Sequence, residues 1–290
     1  MSGGLFIQSL IDGLLMGGIY SLVAIGLTII FGVMKIINFA QGALMMLGMY
    51  VTYWLYAIAG LNPYLSIPIS AIVLFVVGVA IQKTILSKMM DAPEHNQLLV
   101  TLGIMLFIEN FALILFKPDF RSVTVEGMPK TISLLSINIG TGKLIAFLFA
   151  IGLTALLFWF LKHTFLGKAI RATSINRQGA ALIGINTKRI NYIAFGLGSA
   201  LAAIAGTLMT PFFYTSPDVG SAFILKAFVV VVLGGLGNVL GALIGGLVIG
   251  VAESLGGAVL PGSLKELMTY LIFILVLLFR PNGIFGGKSK

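Results

Sequence analysis

Cysteine is absent from the 290 residues, which excludes disulfides, thiolate metal sites and cysteine nucleophiles but leaves the redox compartment open. Charge is almost as scarce, with Asp, Glu, Lys and Arg making up only 9% of the chain. A composition that is 59% hydrophobic cannot be covered by so little charged surface, so a water-soluble globule is excluded. The two histidines, His95 and His163, lie far apart and lack metal-ligand spacing. The chain holds no Walker A, GxSxG or HExxH sequence, and hence no P-loop for ATP. No metal, cofactor or catalytic residue is expected, and the chain does not read as an enzyme. Any energy drawn from ATP has to come from another polypeptide.

What fills the chain instead is long apolar runs. Several exceed the roughly 18–20 residues that cross a ~30 Å hydrocarbon core, and they do not alternate as barrel strands would. The expected fold class is all-α, a polytopic helical membrane protein embedded in a lipid bilayer. Spans are placed near Leu5–Val33, Ile36–Ala59, Tyr64–Leu86, Leu98–Phe116, Leu144–Leu161, Ile190–Thr210 and Leu264–Phe279, with a broken stretch over Ala222–Ser254. The first run is too long for a signal-peptide core and has no Lys or Arg before it, so it reads as a retained span.

The net charge of +9 is distributed over span ends and loops, as the positive-inside bias produces, and nucleic-acid binding is rejected. Lys35, then Lys83 and Lys88, then the segment 162–189 fall on one side if the spans alternate. The Gly60–Pro63 turn and the 117–143 loop fall on the other, the latter with Lys117, Arg121, Lys130 and Lys143 against Asp119 and Glu126. The 162–189 segment holds six of the 18 Lys and Arg and no carboxylate. It therefore lies in the cytoplasm and places the N-terminus outside. A tail with Arg280, Lys288 and Lys290 is cytoplasmic too. An even number of crossings must then separate it from Arg189, so the broken stretch goes in and comes back. Eight membrane segments with one re-entrant, or nine crossings, satisfy that count.

Irregular backbone at membrane depth survives only where protein or a water-filled cavity surrounds it. The Gly234-Gly235-Leu236-Gly237-Asn238 break is accordingly a candidate part of a translocation path. Asn38 and Gln41, three apart and beside Gly42, share one helical face, and either line a path or cap a span end. Glu109 with Asn110 sits inside the fourth span, where polar groups face protein or water, as a path lining or as a satisfied helix contact. Glu253 and Lys226 are expected to reach an interface, and Asp12 lies near the outer end of the first span. Gly13, Gly17 and Gly18, and Gly241, Gly245 and Gly246, suit close helix packing. Met45, Met46 and Met49 read as core filler. Long Gly-punctuated spans over Gly13–Gly32 and Gly196–Gly206, followed by the breaks at Asn38–Gly42 and Gly234–Asn238, hint at an internal repeat.

Within the cytoplasmic segment, Arg177–Ile185 (RQGAALIGI) forms a short helix candidate ended by Gly184. Its Ala180, Ala181 and Ile183 could face outward into a groove, with Lys168, Arg171 and Arg177 pairing acidic groups of a partner. An ordinary basic loop on lipid headgroups is the plainer alternative.

The whole chain resembles the permease subunits of branched-chain amino-acid ABC transporters, the Liv type of binding-protein-dependent importers, most closely the shorter permease. The resemblance rests on Gly26-Leu27-Thr28 to Phe31-Gly32 and on Ile37-Asn38-Phe39-Ala40-Gln41-Gly42. It extends through Gly167-Lys168-Ala169-Ile170-Arg171-Ala172, Ala180-Ala181-Leu182-Ile183-Gly184-Ile185, Val232–Asn238 and Arg280–Gly286. It implies an ABC importer permease fold in one transmembrane domain, 1–290, in the plasma membrane (the bacterial inner membrane). It implies as partners a second related permease, two ATP-binding subunits and an extracytoplasmic substrate-binding protein, with an amino acid as substrate. It also implies that Arg171, Asn176, Arg177, Ala180, Ala181, Leu182, Gly184 and Ile185 couple to the ATPase. The wider importer pattern of Glu-Ala-Ala then Gly is replaced here by Gly179-Ala180-Ala181 and a closer Gly184. Asn38, Gln41, Gly42, Glu109, Asn110, Gly234, Gly235 and Asn238 are the expected substrate path. Permeases for urea or short amides look similar, and a stand-alone channel or secondary transporter is the rival from another class.

Overall fold

The structure is a computed structural model and describes residues 3–90, 92–125, 129–134, 137–259, 264–280 and 283–285. The apolar runs fold as helices because hydrocarbon offers backbone groups no partner outside the segment itself. In chain order they are α1 (Gly3–Met34), α2 (Gln41–Ala59), α3 (Ile67–Thr84), α4 (Glu94–Phe116) and α5 (Thr141–His163). Two short helices follow, α6 (Phe165–Ile175) and α7 (Arg177–Leu182), then α8 (Thr187–Met209), α9 (Val219–Gly234), α10 (Val239–Val259) and α11 (Lys265–Phe279). Seven of these are long and apolar enough to cross a membrane, and α9 and α11 are shorter apolar helices. The chain is a multi-pass helical membrane protein, as expected. A small antiparallel hairpin, β1 (Thr131–Leu134) with β2 (Ile137–Gly140), is added in the 117–143 loop.

Small residues set the closest helix contacts. Gly13 and Gly17 of α1 lie against the backbone of Gly250 and Gly246 of α10, so the two helices run antiparallel. Ser21 donates to the Leu243 carbonyl at 2.8 Å, closing the same seam. On the opposite flank, Gly78 of α3 sits on Ser199 and Gly196 of α8. With no hydrophobic drive between helices in lipid, such backbone approach is what dispersion and short hydrogen bonds require. α1–α10 and α3–α8 are the two most extensive pairs, and α1 also packs on α8 and α2 on α9. Exchanging α1, α2 and α3 for α8, α9 and α10 reproduces these pairings. Since α8 leaves the end at which α1 arrives, the two halves form an inverted repeat.

The core follows α1 and α8, with Met45, Met46 and Met49 of α2 fully buried in it as filler. Outward faces of α3, α4, α5 and α11 carry Ile72, Phe107, Leu156 and Leu278, exposed to where lipid would lie. The basic loops after α1, α3 and α5 share one end of the bundle, while the hairpin shares the other with the start of α1. There Gln8 donates to the Asn138 carbonyl at 2.7 Å, and Lys143 pairs with Asp12 at 3.0 Å. The broken stretch is two helices: α9 descends to the basic end and α10 climbs back. The even crossing count is met that way. Lys288, Lys290, Glu126 and the Pro281, Asn282 and Gly286 positions of the C-terminal motif lie outside the described residues.

Candidate translocation path and coupling surface

Beyond Met34 the chain reverses at Lys35, which takes a left-handed φ of 59°, and runs back into the bundle without helical structure. The second span therefore begins at Gln41 rather than at Ile36. Thr101 of α4 holds this returning segment, donating to the Ile37 carbonyl at 3.0 Å while accepting from the Phe39 N–H at 3.3 Å. Asn38 Oδ1 accepts from the Ala40 N–H at 3.2 Å, forming the turn that starts α2. Gln41 receives Asn38 Nδ2 at 3.3 Å and donates its own Nε2 to the Gly198 carbonyl at 3.0 Å. Gln41 sits beside Gly26, about 12 Å along α1 from Met34 at ~1.5 Å per residue. Asn38 and Gln41 are thus fully buried inside the bundle, bonded to each other and to α8.

A matching start lies in the other half. After α8, residues 210–218 are not helical, and Thr215 is bridged to Arg121; α9 begins at Val219 with Gly220 packed on the backbone of Gly42 and Ala43. Two helices of opposite direction, α2 and the shorter α9, therefore meet N-terminus to N-terminus inside the bundle. Each contributes the positive end of its dipole. Only glycine at both positions allows the backbones to touch. The repeat partner of Asn38–Gly42 is therefore Ser216–Gly220, and not Gly234–Asn238 as the sequence suggested.

Gly234–Asn238 is instead the turn between α9 and α10. Gly235 and Gly237 take φ of 95° and 87°, and Gly237 lies by Gly32, near the end of α1. Asn238 caps α10 by accepting from the Gly241 N–H at 3.0 Å, and its Nδ2 donates to the Phe285 carbonyl at 3.1 Å. Its position at the bundle end, rather than at mid-depth, makes this break a structural joint.

Glu109 and Asn110 of α4 open onto a cleft of about 340 Å³ shared with Pro217, Asp218 and Ser221 at the start of α9. Ser216 donates to the Asp218 carboxylate. A deeper charge site lies beneath it. Lys226 of α9 donates to Glu253 of α10 at 2.7 Å and stands 3.3 Å from Glu266 of α11. Lys226 and Glu253 are each 7% exposed, so neither reaches an interface as the sequence suggested. The low dielectric favours mutual pairing over solitary excursions to water. Lys226 also lies over the rings of Tyr20 and Phe223, at 5.5 and 5.7 Å from the centroids. Thr101, Ser216, Asp218 and Gly220 escaped sequence reasoning. The equal spacing of Asn38 to Gly42 and of Ser216 to Gly220 was the available signal.

At the basic end, three side-chain caps shape the 162–189 segment. Thr164 accepts from the Gly167 N–H at 3.0 Å, Asn176 from Gly179 at 2.8 Å and Asn186 from Arg189 at 3.0 Å. Each satisfies an otherwise orphaned helix-start donor. Gly184 ends α7 in the left-handed region, φ 86°, where glycine is the least strained residue. Ala180 faces inward and is buried, a correction to its expected outward aspect, because the short helix turns that side onto the bundle. Leu182 and Ile183 point outward, 88% and 75% exposed, as does Ile175 at 85%. Ala181, Arg171, Asn176 and Arg177 are also exposed, and Ile185 is partly covered. Large apolar side chains held in water by capped helices, amid basic residues, make an adhesive surface.

Inverted halves, two helices that start inside the bundle and an exposed helical segment at its basic end are the build of a transporter's membrane subunit. A family model described as "Branched-chain amino acid transport system / permease component" matches residues 9–277. The chain is 31% identical to the high-affinity branched-chain amino acid transport system permease protein LivH of Salmonella typhimurium, over 97% of this chain and 96% of that protein. It is 32% identical to the corresponding permease protein BraD of Pseudomonas aeruginosa, with the same two coverages. In fold it is similar to a chain of PsaBC from Streptococcus pneumoniae in complex with Fab, with a TM-score of 0.52 at 14% identity over 97% of this chain and 94% of that one. The chain belongs to the family of branched-chain amino acid transport permease components.

Proposed function

We propose that this chain is the transmembrane subunit of an ATP-driven importer of branched-chain amino acids. It pairs with a second, related permease, sits on two ATP-binding subunits and receives substrate from an extracytoplasmic binding protein. The observation that carries this reading is the exposed α6–α7 segment, apolar at Ile175, Leu182 and Ile183, in a chain with no nucleotide motif. Residues 162–189 act as its coupling loop: α7, with Asn176, Arg177, Ala181 and Leu182, seats in the ATPase, while Arg171 anchors it. Ala180 packs that helix onto the bundle, the exposed Gly184 ends it, and Ile185 joins it to α8.

Closure of the ATPase pair then moves α7, and through α6 and α8 the two helix starts. Gly42 and Gly220 form the closed crossing of the path, with Asn38 and Gln41 fixing its inner side. The cleft of Glu109, Asn110 and Asp218 forms the outer side, where carboxylates at membrane depth call for water or a partner permease rather than lipid. It suits the ammonium group of an arriving amino acid. Gly234, Gly235 and Asn238 serve the path only by holding α9 to α10 and the tail.

Reconstitution in proteoliposomes tests the reading. Leucine uptake should require ATP, both partner types and the binding protein. Leu182→Asp should weaken ATPase docking by about tenfold or more, with the binding protein still loading leucine. Uptake by the lone chain without ATP would make it a stand-alone carrier. A cognate binding protein blind to leucine, isoleucine and valine would move the substrate to urea or a short amide.

A further inference from the structure

The outer cleft is walled by two different loops. Pro118 and Phe120 line it from the loop after α4, and Pro217 and Asp218 from the loop before α9. These loops are joined by one antiparallel pair: the Arg121 N–H donates to the Thr215 carbonyl at 3.0 Å, and the Thr215 N–H to the Arg121 carbonyl at 2.7 Å. The Arg121 side chain fixes that pair to the bundle. Its guanidinium carbon lies 5.2 Å from the ring centroids of both Tyr53 and Trp54 of α2, where ring faces attract a cation. Its Nη2 donates to the Phe116 carbonyl at 2.7 Å, an orphan acceptor at the end of α4. That carbonyl belongs to the peptide entering Lys117, whose φ of 61° and ψ of 169° strain any residue but glycine. Such strain persists only where the surroundings hold it, and Arg121 grips the adjoining peptide.

We propose that Arg121 is the positioning residue of the outer cleft. It sets the spacing of the two loops, and its release from Tyr53, Trp54 and Phe116 widens the cleft toward the Gly42–Gly220 crossing. The strain at Lys117 favours release, so the closed state depends on Arg121 rather than on its own loop. The latch follows from these contacts alone. Its trigger rests on the importer reading: docking of the loaded binding protein pulls it open.

A chain without cysteine allows a direct test. Thr215 is 0% exposed and its Oγ1 has no partner, so Thr215→Cys breaks no hydrogen bond and places a thiol behind the latch. In proteoliposomes holding the permease–ATPase assembly, a membrane-impermeant maleimide added outside should label it slowly. Adding Arg121→Gln should speed labelling about tenfold, the effect of one lost charge-assisted hydrogen bond. Arg121→Lys, which keeps the cation but not the planar fork, should fall between. Leucine-loaded binding protein with ATP should speed labelling while Arg121 is intact. In a separate variant, Ser122→Cys with Tyr214→Cys, antiparallel pairing sets the two exposed positions opposite each other. Oxidation should join them and stop ATP-driven leucine uptake, and reductant should restore it. Labelling no faster in Arg121→Gln, even with a lower melting temperature, overturns the proposal. So do thiols that fail to join, uptake that continues through the closed disulfide, and uptake without faster labelling of Thr215→Cys. The disulfide variant keeps Arg121 and decides even where Arg121→Gln does not assemble. If Arg121→Gln speeds labelling but ATP never drives uptake, the latch stands and the importer reading falls.

Discussion

At the start of α2 the Gln41 N–H donates to the Asn38 carbonyl, and at the start of α9 the Val219 N–H donates to the Ser216 carbonyl, both at 3.3 Å. Each turn is followed at once by a glycine, and those two glycines touch. The backbones agree, yet the side chains diverge. The first turn is neutral, buried and held by Thr101 and Gly198. The second places the exposed carboxylate of Asp218 in a cleft with Glu109, and α9 alone carries a lysine paired to its neighbours. An inverted repeat supplies two equivalent helix starts, and the residues around them then make one neutral and buried and the other acidic and open to a cleft.

The largest way to break this comparison is to remove the pin that only α9 has. In Lys226→Met, Glu253 stays buried without its partner, a loss of about 3–5 kcal/mol for a broken buried pair. Thermal unfolding in detergent should show it, and Lys226→Met with Glu253→Gln should recover most of it in a double-mutant cycle. A double variant no better than the single would mean that the lysine stem, packed on Tyr20 and Phe223, matters more than its charge.

The shared glycines come next. A Cβ on Gly42 would run into the Gly220 carbonyl and Ile224, and one on Gly220 into the Gly42 backbone. Neither obstacle is the far end of a flexible side chain. Gly42→Val and Gly220→Val should each cost about 1–3 kcal/mol by overpacking and abolish ATP-driven uptake, to the same degree. If one glycine tolerates valine and the other does not, the two starts are not equivalent seats.

The spans themselves were legible, because twenty apolar residues in a row leave few alternatives to a membrane helix. The helix starts at Asn176 and Asn186 could also be read, since an amide side chain two or three residues before free N–H groups is a local device. The second re-entry was not. Ser216-Pro217-Asp218 looks like any outer loop, and only the contact of the following Gly220 with Gly42 shows how deep it leads. The Lys226–Glu253 pair was hidden likewise, as its members belong to different helices and each alone reads as a charge near a span end. The hairpin strands, four residues each, are too short to outweigh a loop reading.

The smallest predicted effect decides what the acidic cleft is for. Asp218 stands at the N-terminal end of α9 but makes no side-chain capping bond there. A carboxylate in that place can act in two ways: it stabilises the helix dipole by about 0.3–1 kcal/mol, or it meets an ammonium group entering the cleft. Asp218→Asn keeps the shape and removes only the charge. Substrate recognition predicts an unchanged melting temperature and a KM for leucine delivered by the binding protein raised about two- to fivefold, the worth of an exposed ion pair. A dipole role alone predicts the reverse, a lower melting temperature with KM unmoved. Glu109→Gln, across the cleft and away from the helix end, should follow Asp218→Asn in KM only if the cleft binds the ammonium group. If Glu109→Gln leaves KM alone, the second helix start differs from the first in charge but not in function.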